Sequence, residues 1–232
     1  MGLTFVIGDV HGSYHTLLAL IEKLPKDANI IFVGDLIDRG KYSSDVIKYV
    51  RSNRYQSVLG NHEKTFIDFF KDYKSATSFE ILKEKWETWL FYNGGKDYGL
   101  WESLEPNKEI LDRVESDILW MQSLPIYIEL QIMNKVNLPV VISHINITKV
   151  WRYKDDSTMQ KHFIDRASRE RDLRYTKESK NFNIYGHTPN TNSRANINSI
   201  NVDTGCCFGN ECYNRLSAYC IEDDTFIYIK KI

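Results

Sequence analysis

The sequence predicts an α/β fold, because short runs rich in β-branched and aromatic residues alternate with longer amphipathic runs. Turns that contain glycine, aspartate and histidine follow several of the short runs, as ligand-binding loops do at strand ends. The chain has 232 residues, of which 42% are hydrophobic, so it can bury a substantial core. We therefore predict a single domain over residues 1–232.

The first third of the chain predicts three strands, each followed by a helix. The predicted strands cover residues 3–8, 30–34 and 56–60. The predicted helices cover residues 13–24, residues 43–50 and a run that begins at His62. Ser13 is the predicted N-cap of the first helix, and Pro25 ends that helix.

The middle of the chain, residues 77–123, predicts a helical insertion beside the sheet. Its tryptophans lie in runs that favour helix, interrupted by Asn93-Gly94-Gly95 and by Pro106. Core packing explains these aromatic residues more simply than a substrate-facing wall does.

After Pro125 the pattern typical of strands returns. It predicts strands over residues 126–132, 139–143, 182–185, 197–202, 216–221 and 226–229. The acidic turn 222–224 predicts a hairpin between the last two. Residues 151–180 are densely charged, and their arginines are most simply a solvated surface.

Charge and hydropathy exclude several classes of partner. The formal net charge is −1, so we expect no nucleic-acid partner, and any attraction for phosphate must be local. No apolar run approaches the roughly 20 residues that cross a membrane. The first twelve residues also lack a signal-peptide pattern, so we expect a cytoplasmic protein without a membrane partner. The sequence leaves the oligomeric state open.

Four short motifs carry the candidate chemistry, and each directly follows a predicted strand. They are Gly8-Asp9-Val10-His11-Gly12, Gly34-Asp35-Leu36-Ile37-Asp38-Arg39-Gly40, Gly60-Asn61-His62-Glu63 and Gly186-His187-Thr188. Open α/β sheets collect ligands at one kind of strand end, so we expect these loops to meet. Their oxygen and nitrogen donors suit manganese, iron or zinc. Two such ions can clamp a phosphoryl group, and Asp35, in the central loop, is the predicted bridge between them.

The first three motifs, in this order and spacing, resemble those of the calcineurin-like metallophosphoesterases. The longer GDLIDRG form is similar to the phosphoprotein-phosphatase branch, especially the lambda-phage and bacterial serine/threonine protein phosphatases. The similarity continues in Asn93-Gly94-Gly95, Ser168-Arg169-Glu170-Arg171, Gly186-His187-Thr188-Pro189 and Asp203-Thr204-Gly205. It implies a four-layer αββα sandwich with a helical insertion.

The resemblance also implies a pair of divalent metal ions, with Mn2+ as the first expectation and iron or zinc as alternatives. The first ion would be bound by Asp9, His11 and Asp35. The second would be bound by Asp35, Asn61, His144 and His187. Ile145-Asn146 follows His144 where the family has small residues, so the shape of that loop is expected to differ.

Catalytic roles follow from the same matching positions. His62 would protonate the leaving oxygen, with Asp38 orienting its ring. Arg39 would grip the phosphoryl oxygens. A second arginine is expected between His144 and His187, where Arg169 fits best and Arg166 is the fallback. Because relatives hold the segment before Cys206 and Cys207 near the metals, oxidation of these thiols is a hypothesis for loss of activity.

The leading hypothesis for function is a metal-dependent serine/threonine protein phosphatase that uses a metal-bridging hydroxide. The nearest alternative is hydrolysis of dinucleoside polyphosphates such as diadenosine tetraphosphate, or of another small phosphoester, because those enzymes share the same three motifs. A non-catalytic binding module of the same fold would be expected to lose metal ligands, and this chain keeps them. A nuclease is disfavoured by the absence of a basic bias.

Overall fold

Two β-sheets lie between outer layers of helices in the computed structural model of this protein, which describes residues 2–100, 102–169, 179–191, 197–209 and 213–232. Within the described residues the larger sheet has five strands and the smaller sheet has four. This arrangement confirms the predicted α/β class and the αββα sandwich.

The larger sheet combines strands from both ends of the chain. Its strands are β1 (Thr4–Ile7), β2 (Asn29–Phe32), β3 (Gln56–Ser57), β8 (Arg215–Cys220) and β9 (Thr225–Lys230). They lie in the order β3-β2-β1-β8-β9. The first three run parallel to one another, whereas β8 is antiparallel to both β1 and β9. The predicted hairpin of the last two strands is therefore confirmed.

The smaller sheet is built from the second half of the chain. Its strands are β4 (Tyr127–Met133), β5 (Pro139–Ser143), β6 (Phe182–Tyr185) and β7 (Ser199–Asn201), in that order. β5, β6 and β7 run parallel, and β4 pairs antiparallel with β5 at one edge. In each sheet, three adjacent strands therefore run parallel to one another, and the carboxyl ends of these strands lead into loops.

The helices are α1 (Tyr14–Ile21), α2 (Ser43–Ser52), α3 (Asn61–Ser75), α4 (Phe79–Tyr92), α5 (Lys108–Gln122) and α6 (Gln160–Arg169). Short 3₁₀ turns cover Gly95–Tyr98 and Trp151–Tyr153. α4 and α5 lie in the predicted insertion, while α6 forms in the charged segment, where we predicted no helix. The single-domain division stays a prediction. Among the described residues, none of the helices combines the length and the apolar character that a membrane-spanning helix requires.

Alternation along the strands sorts apolar side chains into separate layers. In β1, Phe5 and Ile7 pack against the helices, whereas Val6 packs between the sheets. In β5, Val141 faces the layer that contains α6, and its neighbours Val140 and Ile142 face the other sheet. This two-residue period lets both sheets bury both of their faces.

Some predicted boundaries differ from the structure. β3 has two residues instead of five, because the chain leaves the sheet and the N–H of Leu59 donates to Pro125 O at 2.8 Å. α1 ends at Ile21, and the N–H of Leu24 donates to Ile21 O in a tighter turn. Ser13 occupies the N-cap position but its side chain makes no capping hydrogen bond.

Candidate functional site

The motif loops meet at one edge of the sandwich. The N–H of His11 donates to Asp35 O at 2.9 Å, which joins the loops after β1 and β2. The N–H of His62 donates to Asp35 Oδ1 at 3.0 Å and adds the loop after β3. The N–H of Gly186 donates to His144 O at 2.9 Å, which joins the loops after β5 and β6 in the other sheet.

The side chains of Asn61, His144 and His187 direct potential metal-binding atoms towards one another. Asn61 Oδ1 lies 2.9 Å from His144 Nε2 and 2.7 Å from His187 Nδ1, and the two ring nitrogens are 3.0 Å apart. His144 Nδ1 donates to Val33 O at 2.9 Å, so in the neutral ring its Nε2 carries a lone pair. Lone pairs that converge in this way are the arrangement that a cation requires.

A backbone carbonyl likewise orients the ring of His11, which lies on the other side of Asp35. Its Nδ1 donates to Ile37 O at 2.9 Å, which leaves Nε2 as the acceptor, 3.8 Å from Asp35 Oδ2. Burial lowers the pKa of His11 to about 3, so the ring stays neutral and can act as a metal ligand.

Asp35 lies between two groups of donors. Its Oδ2 is 3.4 Å from His144 Nε2 and 3.9 Å from His62 Nε2. Donor atoms of His11, Asp35 and His62 lie within 4.8 Å of one another, and so do those of Asp35, His144 and His187. Burial opposes ionisation of Asp35, but the neighbouring imidazoles hold its pKa well below the ordinary value.

Three further buried carboxyl groups, those of Asp9, Asp203 and Glu63, lie around Asp35, and the negative charges of these groups repel one another. Burial and then the charges of Asp203 and Asp35 raise the pKa of Asp9 well above its ordinary value. Burial raises the pKa of Asp203 to about 7, and it also raises the pKa of Glu63. Divalent cations would remove this repulsion. The donors and their electrostatics therefore fit a centre for divalent ions.

His62 and Asp38 form a buried pair beside the cluster. His62 Nδ1 donates to Asp38 Oδ2 at 2.6 Å, and the Nε2 atom of the same ring faces the cavity beside Asp35. Burial opposes the charged ring, but Asp35 and Asp38 outweigh it and raise the pKa of His62. A ring held in this way can carry a proton to a group bound in the cavity.

A cavity of about 390 Å³ opens beside these groups. Its polar wall consists of His11, Asp35, Arg39, Asn61, His62, His187, Thr188 and Asp203, and its remaining wall of Pro189, Cys207 and Phe208. The guanidinium carbon of Arg39 lies 5.5 Å from the centre of the Phe208 ring. The cavity therefore combines an anion-binding side chain with an apolar surface.

Residues 3–191 match the family of calcineurin-like phosphoesterases. The chain belongs to that family. The family prediction is confirmed, and membership implies divalent metal ions in a phosphoester-hydrolysing site, for which the His/Asp cluster is the candidate.

This phosphoesterase is similar along most of its length to a curated relative. It is 28% identical over 235 residues to the asymmetrical bis(5'-nucleosyl)-tetraphosphatase of Bacillus velezensis, covering 89% of this chain and 85% of the relative. The leading hypothesis of a protein phosphatase therefore has less support than its dinucleoside polyphosphate alternative.

Solved structures agree on the fold alone. One, assigned as a diadenosine tetraphosphatase, has a TM-score of 0.59 at 17% identity and covers 100% of this chain and 94% of its own. Another, a cold-active protein-tyrosine phosphatase of a psychrophilic Shewanella, has the same TM-score at 15% identity, with 100% and 78% covered. Because these neighbours are named for different substrates, the fold of the phosphoesterase does not select one.

Glu63 anchors the site of the phosphoesterase, and sequence reasoning gave it no role. Its carboxylate accepts hydrogen bonds from four backbone N–H groups, at 2.7 to 3.3 Å, which belong to Asp35, Leu36, Ile37 and Gly60. Glu63 therefore fixes the Asp35 loop against the start of α3. Its place in the motif was visible, but its backbone partners were not.

Several site residues occupy strained backbone conformations. His11, Asp35, Asp38, Arg39 and His187 have φ values between 46° and 76°, in the left-handed region that favours glycine. Strain of this kind persists where the surrounding contacts fix the chain, and it clusters at functional sites.

The second arginine stays a prediction. The side chain of Arg169 lies outside the described residues. Arg166 is on α6, which packs against the outer face of the smaller sheet, and Arg39 is the one arginine among the described residues that line the cavity.

The two cysteines near the site are poorly suited to oxidation. Cys206 is buried, and burial raises the pKa of Cys207 to about 12. Because the thiolate is the form that oxidants attack, the structure disfavours the hypothesis that oxidation there controls the enzyme.

Proposed function

We propose that this phosphoesterase hydrolyses dinucleoside polyphosphates. The observation that carries the proposal is its similarity, over 89% of the chain, to a relative named a bis(5'-nucleosyl)-tetraphosphatase. The cavity supports it, because an arginine and a cluster of donors for cations adjoin an apolar wall. A substrate with a phosphate chain and an aromatic base matches both kinds of surface.

We propose that Asp9, His11 and Asp35 hold one ion and that Asp35, Asn61, His144 and His187 hold another, with Mn2+ as the native metal. When bound, the ions would supply positive charge that polarises the phosphoryl group and lowers the pKa of an attacking water. Carbonyl partners already orient both rings: Nδ1 of His11 is held by Ile37 O and Nδ1 of His144 by Val33 O, so Nε2 of each ring is the atom available to an ion.

Proton transfer to the departing oxygen is the proposed task of His62. Its Nδ1 is held by Asp38, so Nε2 is the atom that carries the proton into the cavity. Arg39 would bind non-bridging phosphate oxygens through its guanidinium group. Its main chain is fixed for this role, because the N–H of Arg39 donates to Asn93 O at 2.7 Å.

Phe208 is the proposed contact for the nucleoside. Its side chain is 36% exposed and lines the cavity next to Arg39. An aromatic ring beside a phosphate-binding arginine can stack on a base without selecting among bases. Pro189 extends the same apolar wall.

The test compares substrates with the purified protein and Mn2+. We expect kcat/KM for diadenosine tetraphosphate to exceed that for a phosphoserine peptide by about 100-fold. Chromatography of the products then distinguishes an asymmetric cut of the four-phosphate chain from a symmetric one. Equal or faster turnover of the phosphopeptide would favour the protein-phosphatase hypothesis instead. His62→Asn, prepared in parallel, controls for contaminating phosphatases.

A further inference from the structure

The helical insertion contributes a hydrogen-bond donor to the buried Asp38–His62 pair. Trp89 lies in α4 and is 4% exposed, and its indole Nε1 donates to Asp38 Oδ2 at 2.8 Å. His62 Nδ1 donates to the same oxygen at 2.6 Å. We propose that Trp89 is a positioning residue for phosphoester cleavage, acting through Asp38 on His62.

The geometry of Asp38 explains why it needs such a donor. The Asp38 side chain is fully buried, and Oδ1 has no hydrogen-bond partner among the described residues. A carboxylate that is held by a single donor can rotate about that hydrogen bond and carry the imidazole with it. Two donors that approach Oδ2 from α3 and α4 fix that rotation, and with it the direction of His62 Nε2.

The indole itself is held in place by packing. The ring centroid of Trp89 lies 4.6 Å from that of Phe69 and 5.3 Å from that of Phe66. Gly95 provides the remaining space, because a Cβ atom there would lie 2.6 Å from Trp89 Cε3. This contact gives a physical reason for the second glycine of Asn93-Gly94-Gly95. Through Trp89, the helical insertion helps to orient Asp38 and His62.

The inference rests on the proposed role of His62 and predicts a particular kinetic signature. Protonation matters more when the departing oxygen is more basic, so a badly oriented His62 penalises poor leaving groups most. Phenyl phosphate has a poor leaving group and 4-nitrophenyl phosphate a good one. Loss of the Trp89 indole should therefore lower kcat for phenyl phosphate more than kcat for 4-nitrophenyl phosphate. General damage to the fold would lower both rates equally.

The experiment measures kcat and KM for both substrates with saturating Mn2+. We expect Trp89→Phe to lower kcat for phenyl phosphate roughly tenfold more than for 4-nitrophenyl phosphate, with KM changed less than kcat. Trp86→Phe is the matched control, because Trp86 lies one turn away in α4 and donates to Asp72 at 2.8 Å, away from the site. It should change the ratio of the two rates by less than about twofold.

Two further variants keep the test decisive. Gly95→Ala retains the indole N–H but displaces the ring, and it should show the same dependence on the leaving group. In a His62→Asn background, Trp89→Phe should cause no further loss, because both changes act on one proton transfer. Equal losses for both substrates in Trp89→Phe and Gly95→Ala, or additive losses in the double variant, would overturn the inference. If His62→Asn lowers kcat equally for phenyl phosphate and for 4-nitrophenyl phosphate, then His62 is not the general acid. The proposed role of His62 would then be wrong, and the inference about Trp89 with it.

Discussion

The backbone N–H of His187 lies 3.0 Å from Oδ2 of Asp9, although the two residues are 178 positions apart. Asp9 follows β1 in the larger sheet, and His187 follows β6 in the smaller sheet. The candidate metal centre therefore closes only when the two sheets have packed together. Metal binding and folding should consequently be coupled.

We expect Mn2+ to stabilise the folded protein. At a concentration of about 100 times Kd, one bound ion stabilises by about 2.7 kcal/mol, which for a chain of this size raises Tm by roughly 5–10 °C. Thermal scans after chelation, with and without added Mn2+, measure the effect. Mg2+ at equal ionic strength is the control, because imidazole donors bind it weakly. An unchanged Tm at saturating Mn2+ would contradict the proposed centre.

The stability of the metal-free protein should fall as pH rises. Burial raises the pKa of Asp203 to about 7 in the folded state, compared with about 3.9 in an unfolded chain. The folded state therefore binds this proton more tightly, and the stabilisation is fully present below pH about 4 and lost as pH rises through about 7. Urea unfolding in the presence of chelator at pH 5 and pH 7.5 measures it. Asp203→Asn should show a smaller dependence on pH, and an identical dependence would refute the assignment.

Asp35→Asn should abolish most activity. Asp35 belongs to both proposed sets of metal ligands, and its carboxylate lies near donor atoms of His11 and of His144, so the change weakens both sets at once. We expect kcat/KM for diadenosine tetraphosphate to fall more than about 100-fold, together with loss of the Mn2+-dependent rise in Tm. Asp68→Asn, which alters an exposed carboxylate paired with Lys64 on α3, is the control. Parental turnover in Asp35→Asn would rule out the bridging role.

Glu63→Gln should destabilise the fold as well as the site. The amide retains one acceptor oxygen but turns its NH₂ group toward backbone donors, so buried N–H groups lose their partner. We expect a loss of about 2–3 kcal/mol in the free energy of unfolding, measured with urea. The comparison is Glu115→Gln at the exposed pair with Lys74, where the cost should stay below about 1 kcal/mol. Similar costs at both positions would show that Glu63 is not an anchor.

Phe208→Ala should weaken binding of the nucleoside more than binding of phosphate. Loss of one stacked base, about 1 kcal/mol, should raise KM for diadenosine tetraphosphate roughly fivefold and have less effect on inorganic tetrapolyphosphate. Tyr228→Ala is a matched control, because this ring is 39% exposed and also lies beneath an arginine, Arg215. Equal changes in KM for the two substrates would argue against a base-binding ring.

Many elements of the fold could be predicted from local pattern. The alternation along β1 and the apolar periodicity of α1 and α2 describe the environment of each side chain, so their positions were recovered within a few residues. β3 was predicted too long because an apolar run does not reveal where backbone pairing ends. Helix α6 was missed because its charged residues obscure the one apolar face that carries Phe163 and Ala167.

The sequence by itself predicted the family and the loops whose donors lie together in the candidate site, because open α/β sheets collect such loops at one kind of strand end. The tertiary structure decided the roles of Glu63 and Trp89. Glu63 holds the backbone of residues 35–37, which are 26 to 28 positions away, and Trp89 holds Asp38, which is 51 positions away. Side-chain orientation across such separations depends on packing, which no local pattern encodes. The apolar wall at Phe208 likewise exists only once the loops after β2 and β7 lie side by side.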